Sequence, residues 1–485
     1  MNAACVVVPP LIKYGAGPLL GPAMLAGAAR AAGFTVRVVD LNISYLREKL
    51  TSMPLTPSGF AGDHDKPGTL LRGASEEFRQ NIRSLLPAAR SGTPQIDPAD
   101  TAAVGCEAMV RVARSLAATD SGEWIAQRLE ALDRPSLLGV SLLFGGQVYW
   151  ALATTLVAKK LWPDVPIVWG GPHITALQDV IAIDHRLGEH IDGFVFGHAE
   201  RTFVELLAAI RQGRGWPREV IRAGSSIASR AKAGASVVPC FEDLEAYGIP
   251  RLTLPVQASK GCAYARCAFC SYPAIEGAYA EVETAALEPI IAEAAGLDAV
   301  VCFKDSLLLP ARLREIASLV RGRVRWAGCT KIHQALDRSL LASLAAAGCD
   351  TLELGLESAD PRVQFTIHKR QRLGTFLNVV DAAAHAGISL VVNYITGFPG
   401  EDPGLAGELL HQTLDTLDQS GVRFQLEHNR FQLQRLAPMA RSPARYGLRI
   451  VQSWPWASIL DWEWRPAREL AGVDQARAMA NFLGR

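Results

Sequence analysis

Three cysteines lie within nine residues, in Ser259-Lys260-Gly261-Cys262-Ala263-Tyr264-Ala265-Arg266-Cys267-Ala268-Phe269-Cys270-Ser271. Their spacing is C-x4-C-x2-C. Thiolates are soft ligands that suit iron–sulfur clusters and zinc. A structural zinc takes four protein ligands, and no fourth Cys or His lies nearby; the next cysteine downstream is Cys302. A four-iron cluster needs only one thiolate per iron. Three cysteines leave one iron open, where a substrate or cofactor can bind. The loop therefore reads as a [4Fe–4S] site, with zinc as the competing metal. The other cysteines, Cys5, Cys106, Cys240, Cys302, Cys329 and Cys349, are scattered, and none follows Cys349. That leaves no candidate for an auxiliary cluster near the C-terminus.

A loop that wraps three ligands around one cluster needs a rigid strand before it. Leu254–Ala258 is such a strand. Further apolar runs follow at Ala299–Phe303, Val324–Trp326, Thr351–Gly355, Leu390–Ile395 and Val422–Glu427, each leading into a helical stretch. Roughly six βα units predict a partial (β/α)6 barrel over 251–430, with its chemistry at the C-terminal ends of the strands. The N-terminal residues read as a separate α/β domain over 1–215. Ala4–Val8, the helix Leu19–Ala32 and Thr35–Val39 make a βαβ unit, which implies a parallel sheet. Strand and helix alternation resumes at Ser136–Leu143, Val165–Trp169 and Gly193–Phe196. A doubly wound parallel sheet follows, which binds ligands at its strand C-terminal ends. Residues 44–136 read as a helical insertion, with helices at Ala74–Leu86 and Ala103–Ala118. Residues 216–250 read as a linker, and 431–485 as a small aromatic-rich extension. Its Trp454, Trp456, Trp462 and Trp464 either pack against the barrel or wall a substrate pocket.

The cysteine segment resembles the signature loop of the radical SAM superfamily, including the aromatic Phe269 before the last cysteine. The commonest spacing in that superfamily is C-x3-C-x2-C; this chain has one residue more, from Ala263 to Arg266. The resemblance implies that Cys262, Cys267 and Cys270 hold the cluster, that S-adenosyl-L-methionine (SAM) chelates the open iron, and that Phe269 lies near the adenine. Val301–Ser306 stands where the family binds the SAM amino group, although the usual Gly-Gly-Glu is absent; this puts Asp305 and Ser306 among the candidates. Leu352–Ser358 resembles a fourth-strand motif whose polar end, Glu357 and Ser358, reaches the ribose. Tyr394–Glu401 resembles the fifth-strand motif beside the adenine, with Gly397 in it. Taken alone, Asp305 and Glu357 read equally well as surface helix caps. Lys369, where many relatives carry Lys-Gly, reads as a solvated helix end.

The N-terminal domain resembles a cobalamin (B12)-binding fold. Ser141 and Leu143 match an S-x-L element, and Gly170-Gly171 match a G-G element that lets a nucleotide tail pass close to the backbone. His173, Gly197 and Glu200 follow in G-G-P-H and G-H-A-E segments that resemble the cobalamin-dependent radical SAM group. His173 is either a cobalamin contact or a structural residue, and Gly197 and Glu200 are ligand-side residues or a helix N-cap. B12 domains of the commonest kind carry D-x-H-x-x-G after the first strand; here Pro10–Gly15 holds no histidine. The resemblance thus implies a cobalt without a protein histidine ligand.

The implied reaction is methylation of an unactivated carbon by way of a 5′-deoxyadenosyl radical and methylcobalamin, with the substrate between the two cofactors. Alternatives are a cobalamin-dependent radical SAM enzyme that cyclises or rearranges without methylating, and, further off, a cobalamin-binding sensor. The family's habits imply a small-molecule or peptide substrate and an electron donor such as flavodoxin or ferredoxin. Composition limits other partners. There are 49 Lys and Arg against 48 Asp and Glu, which gives no reason to expect nucleic acid or an anionic membrane. No apolar run is long enough to span a bilayer and no secretion signal is visible, so a cytoplasmic location is expected, with thiols kept reduced.

Overall fold

The computed structural model describes residues 3–10, 17–49, 106–143, 145–181, 184–222, 237–248, 251–452 and 456–465. They divide into two compact units. One runs to Thr253 and includes the short segment around Trp456; the other comprises the rest from Leu254.

The first unit is built on six strands: β1 (Ala3–Val8), β2 (Thr35–Asp40), β3 (Leu137–Ser141), β4 (Ile167–Gly170), β5 (Gly193–Val195) and β6 (Val220–Ile221), in the order β2-β1-β3-β4-β5-β6. The first five are parallel, and β6 runs antiparallel to β5. Side chains alternate across a strand. Ala4 and Val6 enter one core with the helices Leu20–Ala31 and Glu200–Arg211. Cys5 and Val7 enter a second core, with the helices Cys106–Ala117, Asp120–Glu130 and Val148–Leu161. Both faces are covered, which is why these strands read as continuous apolar runs. The doubly wound sheet expected from the sequence is present.

Three features differ from the sequence reading or refine it. The expected helix Ala74–Leu86 lies outside the described residues, but Cys106–Ala117 and Asp120–Glu130 bury Cys106, Met109, Trp124 and Ile125 in the core of the first unit. Of the segment read as a linker, β6 joins the sheet. Glu242 accepts from Val38 N at 2.6 Å, and Tyr247 Oη donates to Asp40 Oδ2 at 2.8 Å. Trp456 is 2% exposed and packs in the same core as Trp150 and Trp169.

The second unit carries β7 (Thr253–Val256), a short antiparallel pair β8 (Ser259–Lys260) and β9 (Ala280–Glu281), then β10 (Val300–Leu308), β11 (Trp326–Thr330), β12 (Cys349–Glu357), β13 (Ser389–Thr396) and β14 (Phe424–Arg430). Its main sheet has the order β14-β13-β12-β11-β10-β7, so neighbours in space follow chain order. The pairs from β10 to β14 are parallel. This is the six-stranded open barrel expected. β11 begins where its expected strand ends. Its Ala327-Gly328-Cys329 centre has no β-branched residue, and pairing on both sides overrides that weak propensity. β15 (Leu433–Gln434), β16 (Leu448–Gln452) and β17 (Ile459–Trp464) form a small antiparallel sheet in the order β15-β17-β16. Among the described residues, no helix is long and apolar enough to cross a membrane.

Candidate functional site

The three cysteines leave the C-terminal end of β7 on a loop that is tied down along its whole length. At its start, the Asp305 carboxylate on β10 accepts from Ala258 N at 3.0 Å, from Ser259 N at 2.5 Å and from Ser259 Oγ at 2.6 Å. Arg312 donates to Ala258 O at 2.9 Å. Gly261 takes φ +71°, and a Cβ there would stand 2.8 Å from the carbonyl oxygens of Gly277 and Ala278, so only glycine fits. Its N–H donates to Glu276 Oε2 at 3.0 Å. Tyr264 Oη donates to His368 O. Ala268 N donates to Ile367 O at 2.8 Å and its carbonyl accepts from Met439 N at 2.9 Å. At the end, Ser271 N and Oγ both donate to Gln434 Oε1 on β15. Second-layer bonds of this kind orient metal ligands.

All three cysteines are free thiols of intermediate exposure. Burial pushes the Cys270 thiol up to about 12, and pushes Cys267 up as well. Cys262 adds to the rise at both, and Cys267 adds to that at Cys270. As free thiols the buried pair stays protonated at neutral pH, and bound iron would supply the charge that ionises them. Among the described residues no three His, Cys, Asp or Glu side chains stand close enough to hold a single metal ion. The loop fits a cluster by its donor set: three thiols on one pinned segment.

The strand ends around this loop hold the other candidates, and two of them differ from expectation. Asp305 and Glu357 are 3% and 7% exposed, so neither is a surface cap. Asp305 lies within β10, and its two oxygens accept from Ala258 and Ser259, so it holds the start of the loop. Burial pushes its carboxyl up, with those three hydrogen bonds acting the other way. Ser306, next along, is partly exposed and lies 3.5 Å from Glu276 Oε2. Glu276, which sequence reasoning missed, comes from the helix Tyr272–Glu276 after the loop. Burial raises its carboxyl to about 7. No sequence pattern marks it, because only the fold brings it back to Gly261.

Glu357 ends β12 with φ +68°. Its Oε1 accepts from Lys369 Nζ at 2.9 Å, and Lys369 is only 14% exposed at its side chain. Lys369 is therefore not a solvated helix end. Burial works against its charge, but Glu357 and Cys267 more than offset that, and its pKa is raised. Ser358 is 1% exposed and accepts from Asp360 N at 3.1 Å. Phe269 meets Phe398 edge to face, with ring centroids 5.6 Å apart. Phe398 follows Gly397, whose N–H donates to Glu401 Oε2. The C-terminal sheet closes over this group: Phe431, Leu433, Leu448 and Leu460 join Ala268 and Phe398 in one core, with Trp462 against it. Trp464, 49% exposed, reaches Gly400. Trp454 lies outside the described residues.

In the first unit, the candidates gather at the C-terminal ends of β3, β4 and β5. Ser141 pairs with Gly170 across β3 and β4. Leu142 N donates to Gly170 O at 2.9 Å, and Leu143 N to Gln147 Oε1 at 2.6 Å. Gly171 takes φ +106°, and a Cβ there would stand 2.3 Å from Leu142 O. Thr175 Oγ1 donates to Gly171 O and accepts from Gly197 N, both at 3.0 Å, which joins the ends of β4 and β5. His173 is 3% exposed in the short helix Pro172–Ala176. Glu200 is 7% exposed; it is the first residue of its helix, and Ala199 is the N-cap. The loop 11–16, where a cobalt-ligating histidine is missing from the sequence, lies outside the described residues. A cavity of about 240 Å³ in this unit, between the end of β2 and Cys240–Tyr247, is lined by none of the candidates.

Comparison with known proteins matches residues 241–412 to the radical SAM superfamily. An uncharacterized methyltransferase of Pyrococcus horikoshii is 24% identical over 302 residues; the match covers 57% of this chain and 63% of the relative's length. Among solved structures, the radical SAM methyltransferase TsrM from Kitasatospora setae, determined with tryptophan substrate and a SAM analogue, superposes at a TM-score of 0.60 and 17% identity. That match covers 100% of this chain and 89% of TsrM. The cobalamin-dependent radical enzyme OxsB, with aqua-cobalamin bound, superposes at 0.59 and 12% identity, over 96% of this chain and 64% of OxsB. Residues 241–412 thus match the radical SAM superfamily, and the chain shares the fold of TsrM and OxsB.

Proposed function

We propose that this protein is a cobalamin-dependent radical SAM enzyme that methylates an unactivated carbon of a small-molecule or peptide natural product. The observation that carries the reading is the pinned three-thiol loop at the C-terminal end of β7, in a chain with a separate doubly wound unit before it. Cys262, Cys267 and Cys270 are the cluster ligands. Ser306, Glu357, Ser358, Gly397 and Phe269 lie at the ends of the neighbouring strands or on the loop itself, where SAM would contact them. The bare backbone at Gly170-Gly171, with Ser141, Leu143, His173, Gly197 and Glu200 around it, is the cobalamin face. TsrM has been determined with cobalamin and a [4Fe–4S] cluster, and OxsB with cobalamin and SAM, and both share this fold.

When bound, the cluster and cobalamin supply the one-electron and methyl-transfer chemistry; the protein supplies position and exclusion of water. Asp305, Glu276 and Gln434 hold the cysteine loop at three points. Phe269 and Phe398 make an apolar wall next to it, and Glu357 is paired with Lys369. An electron donor such as flavodoxin or ferredoxin would serve the cluster.

The test is anaerobic purification, reconstitution with iron, sulfide and hydroxocobalamin, and addition of SAM with a strong reductant. Cobalamin bound and 5′-deoxyadenosine or a methylated product formed, both lost or reduced as appropriate in a Cys262→Ala/Cys267→Ala/Cys270→Ala variant, are expected. A chain that assembles a cluster but binds no cobalamin loses the methylation reading. A chain that assembles no cluster loses the whole.

A further inference from the structure

The cysteine loop carries one residue more between its first two ligands than the commonest spacing, and the structure shows where that residue goes. Ala265 takes φ +45°, a left-handed conformation seldom used by a residue with a side chain. Beside this kink, Tyr264 turns away from the loop. Its Oη donates to His368 O at 2.5 Å and lies 3.3 Å from Lys369 O. Lys331, just past the end of β11, donates from Nζ to the same Lys369 carbonyl at 2.5 Å. The Lys331 Nζ also stands 4.1 Å from the centroid of the Tyr264 ring, within reach of a cation–π attraction. The turn that receives both groups is itself left-handed on either side of Lys369, at His368 (φ +56°) and Arg370 (φ +55°). Lys369 then carries its ammonium to Glu357.

Resting on the cluster reading above, we infer that Tyr264 and Lys331 form a latch. It fastens the lengthened Cys262–Cys267 segment to the backbone at 368–369 and holds the Lys331 ammonium against that segment, where its charge sets the redox midpoint of the cluster. Tyr264 and Lys331 are positioning residues; neither is a ligand.

The physical reason is charge. The Lys331 ammonium stands over the ring of Tyr264, on the segment that joins two of the three thiols. Taking up one electron from a low-potential one-electron donor makes the cluster more negative and neither forms nor breaks a bond. Nearby fixed positive charge stabilises that reduced state, most strongly where water is scarce. If Lys331 served only to satisfy the Lys369 carbonyl, replacing it would disturb the fold and leave the midpoint of any assembled cluster alone.

The test uses the full chain, purified without oxygen and reconstituted with iron and sulfide, as wild type and as Lys331→Met, Lys331→Arg and Tyr264→Phe. Iron and sulfide per chain are measured first. The midpoint is then read by mediated dithionite titration followed by electron paramagnetic resonance. With the full iron complement present, Lys331→Met should move the midpoint to more negative potential. Lys331→Arg should restore it towards wild type, and Tyr264→Phe should shift it in the same direction as Lys331→Met but by less. A Lys331→Met cluster with the wild-type midpoint overturns the inference. So does loss of iron in both Lys331 variants while wild type assembles normally, because the role is then structural alone. Wild type that binds no iron overturns the cluster reading itself.

Discussion

Lys369 and Glu357 form a buried ion pair, Nζ to Oε1 at 2.9 Å, with side chains 14% and 9% exposed. Eleven residues separate them in sequence, and the turn at 368–370 brings them together. A buried pair gains little over an apolar substitute, yet breaking it by removing one partner costs about 3 kcal/mol, because the other charge stays buried. Lys369→Met should therefore lower stability by about that amount, and Lys369→Met/Glu357→Gln should recover more than half of it. Denaturant unfolding of the four proteins of this cycle is the measurement. Additive losses in the double variant would rule out the pairing.

Gly171 approaches Leu142 so closely that no Cβ can be added without moving backbone, and its φ of +106° is strained for any other residue. Gly171→Ala should cost at least about 2 kcal/mol and should reduce the cobalamin retained after reconstitution. Gly170→Ala, where the nearest atom is Val195 O at 3.6 Å, should be the milder change. Thermal melting with bound cobalamin measured by absorbance distinguishes them; equal effects would argue against the close approach.

Asp305 serves the cysteine loop through three donors, so Asp305→Asn should leave at least one N–H facing an amide N–H₂. The cost is about 2 kcal/mol, and iron bound per chain should fall. Ser306→Ala, a partly exposed neighbour with only a long contact to Glu276, should change stability by less than about 0.5 kcal/mol and leave iron content intact. If Ser306→Ala loses iron while Asp305→Asn keeps it, the roles given to the two are reversed.

Glu276 gives a pH dependence whose sign can be worked out. Burial raises its carboxyl from 4.5 to about 7 in the folded chain, so the folded protein holds a proton that the unfolded chain has released across that window. Stability from this group is then fully present below about pH 4.5 and lost as pH rises through 7. Asp305 adds to the shift, while Lys260 and the hydrogen bonds from Gly261 and Ser306 oppose it. Between pH 5 and 7.5, the melting temperature of Glu276→Gln relative to wild type should rise with pH. A difference independent of pH would mean that Glu276 titrates normally.

The cysteine triplet was legible because its signal is local: three soft ligands in one short loop need no knowledge of the rest of the chain. The parallel sheets were legible for a related reason. Strands covered on both faces carry apolar runs such as Ala4–Val8 and Leu390–Ile395, and the helices between them break at Gly33 and Gly387, both with positive φ. The Lys369, Asp305 and Glu276 contacts were less accessible. A lysine in His-Lys-Arg has the composition of a solvated helix end, and only the turn at 368–370 folds it inward. Asp305 reads as a ligand-side residue from its place near a strand end, and only the fold shows that its oxygens accept from Ala258 and Ser259. Glu276 has no motif at all.

What the amino-acid sequence by itself determined was therefore chemistry carried by neighbours in the chain: the soft donor set, the order of strands and helices, and the glycines that a turn requires. Only the tertiary structure decided which charged groups face one another, that Trp456 joins the first unit's core while Trp462 packs in the second, and how the extra residue of the cysteine loop is absorbed at Ala265. Those outcomes depend on burial and on hydrogen-bond partners far away in sequence, and local patterns do not encode either.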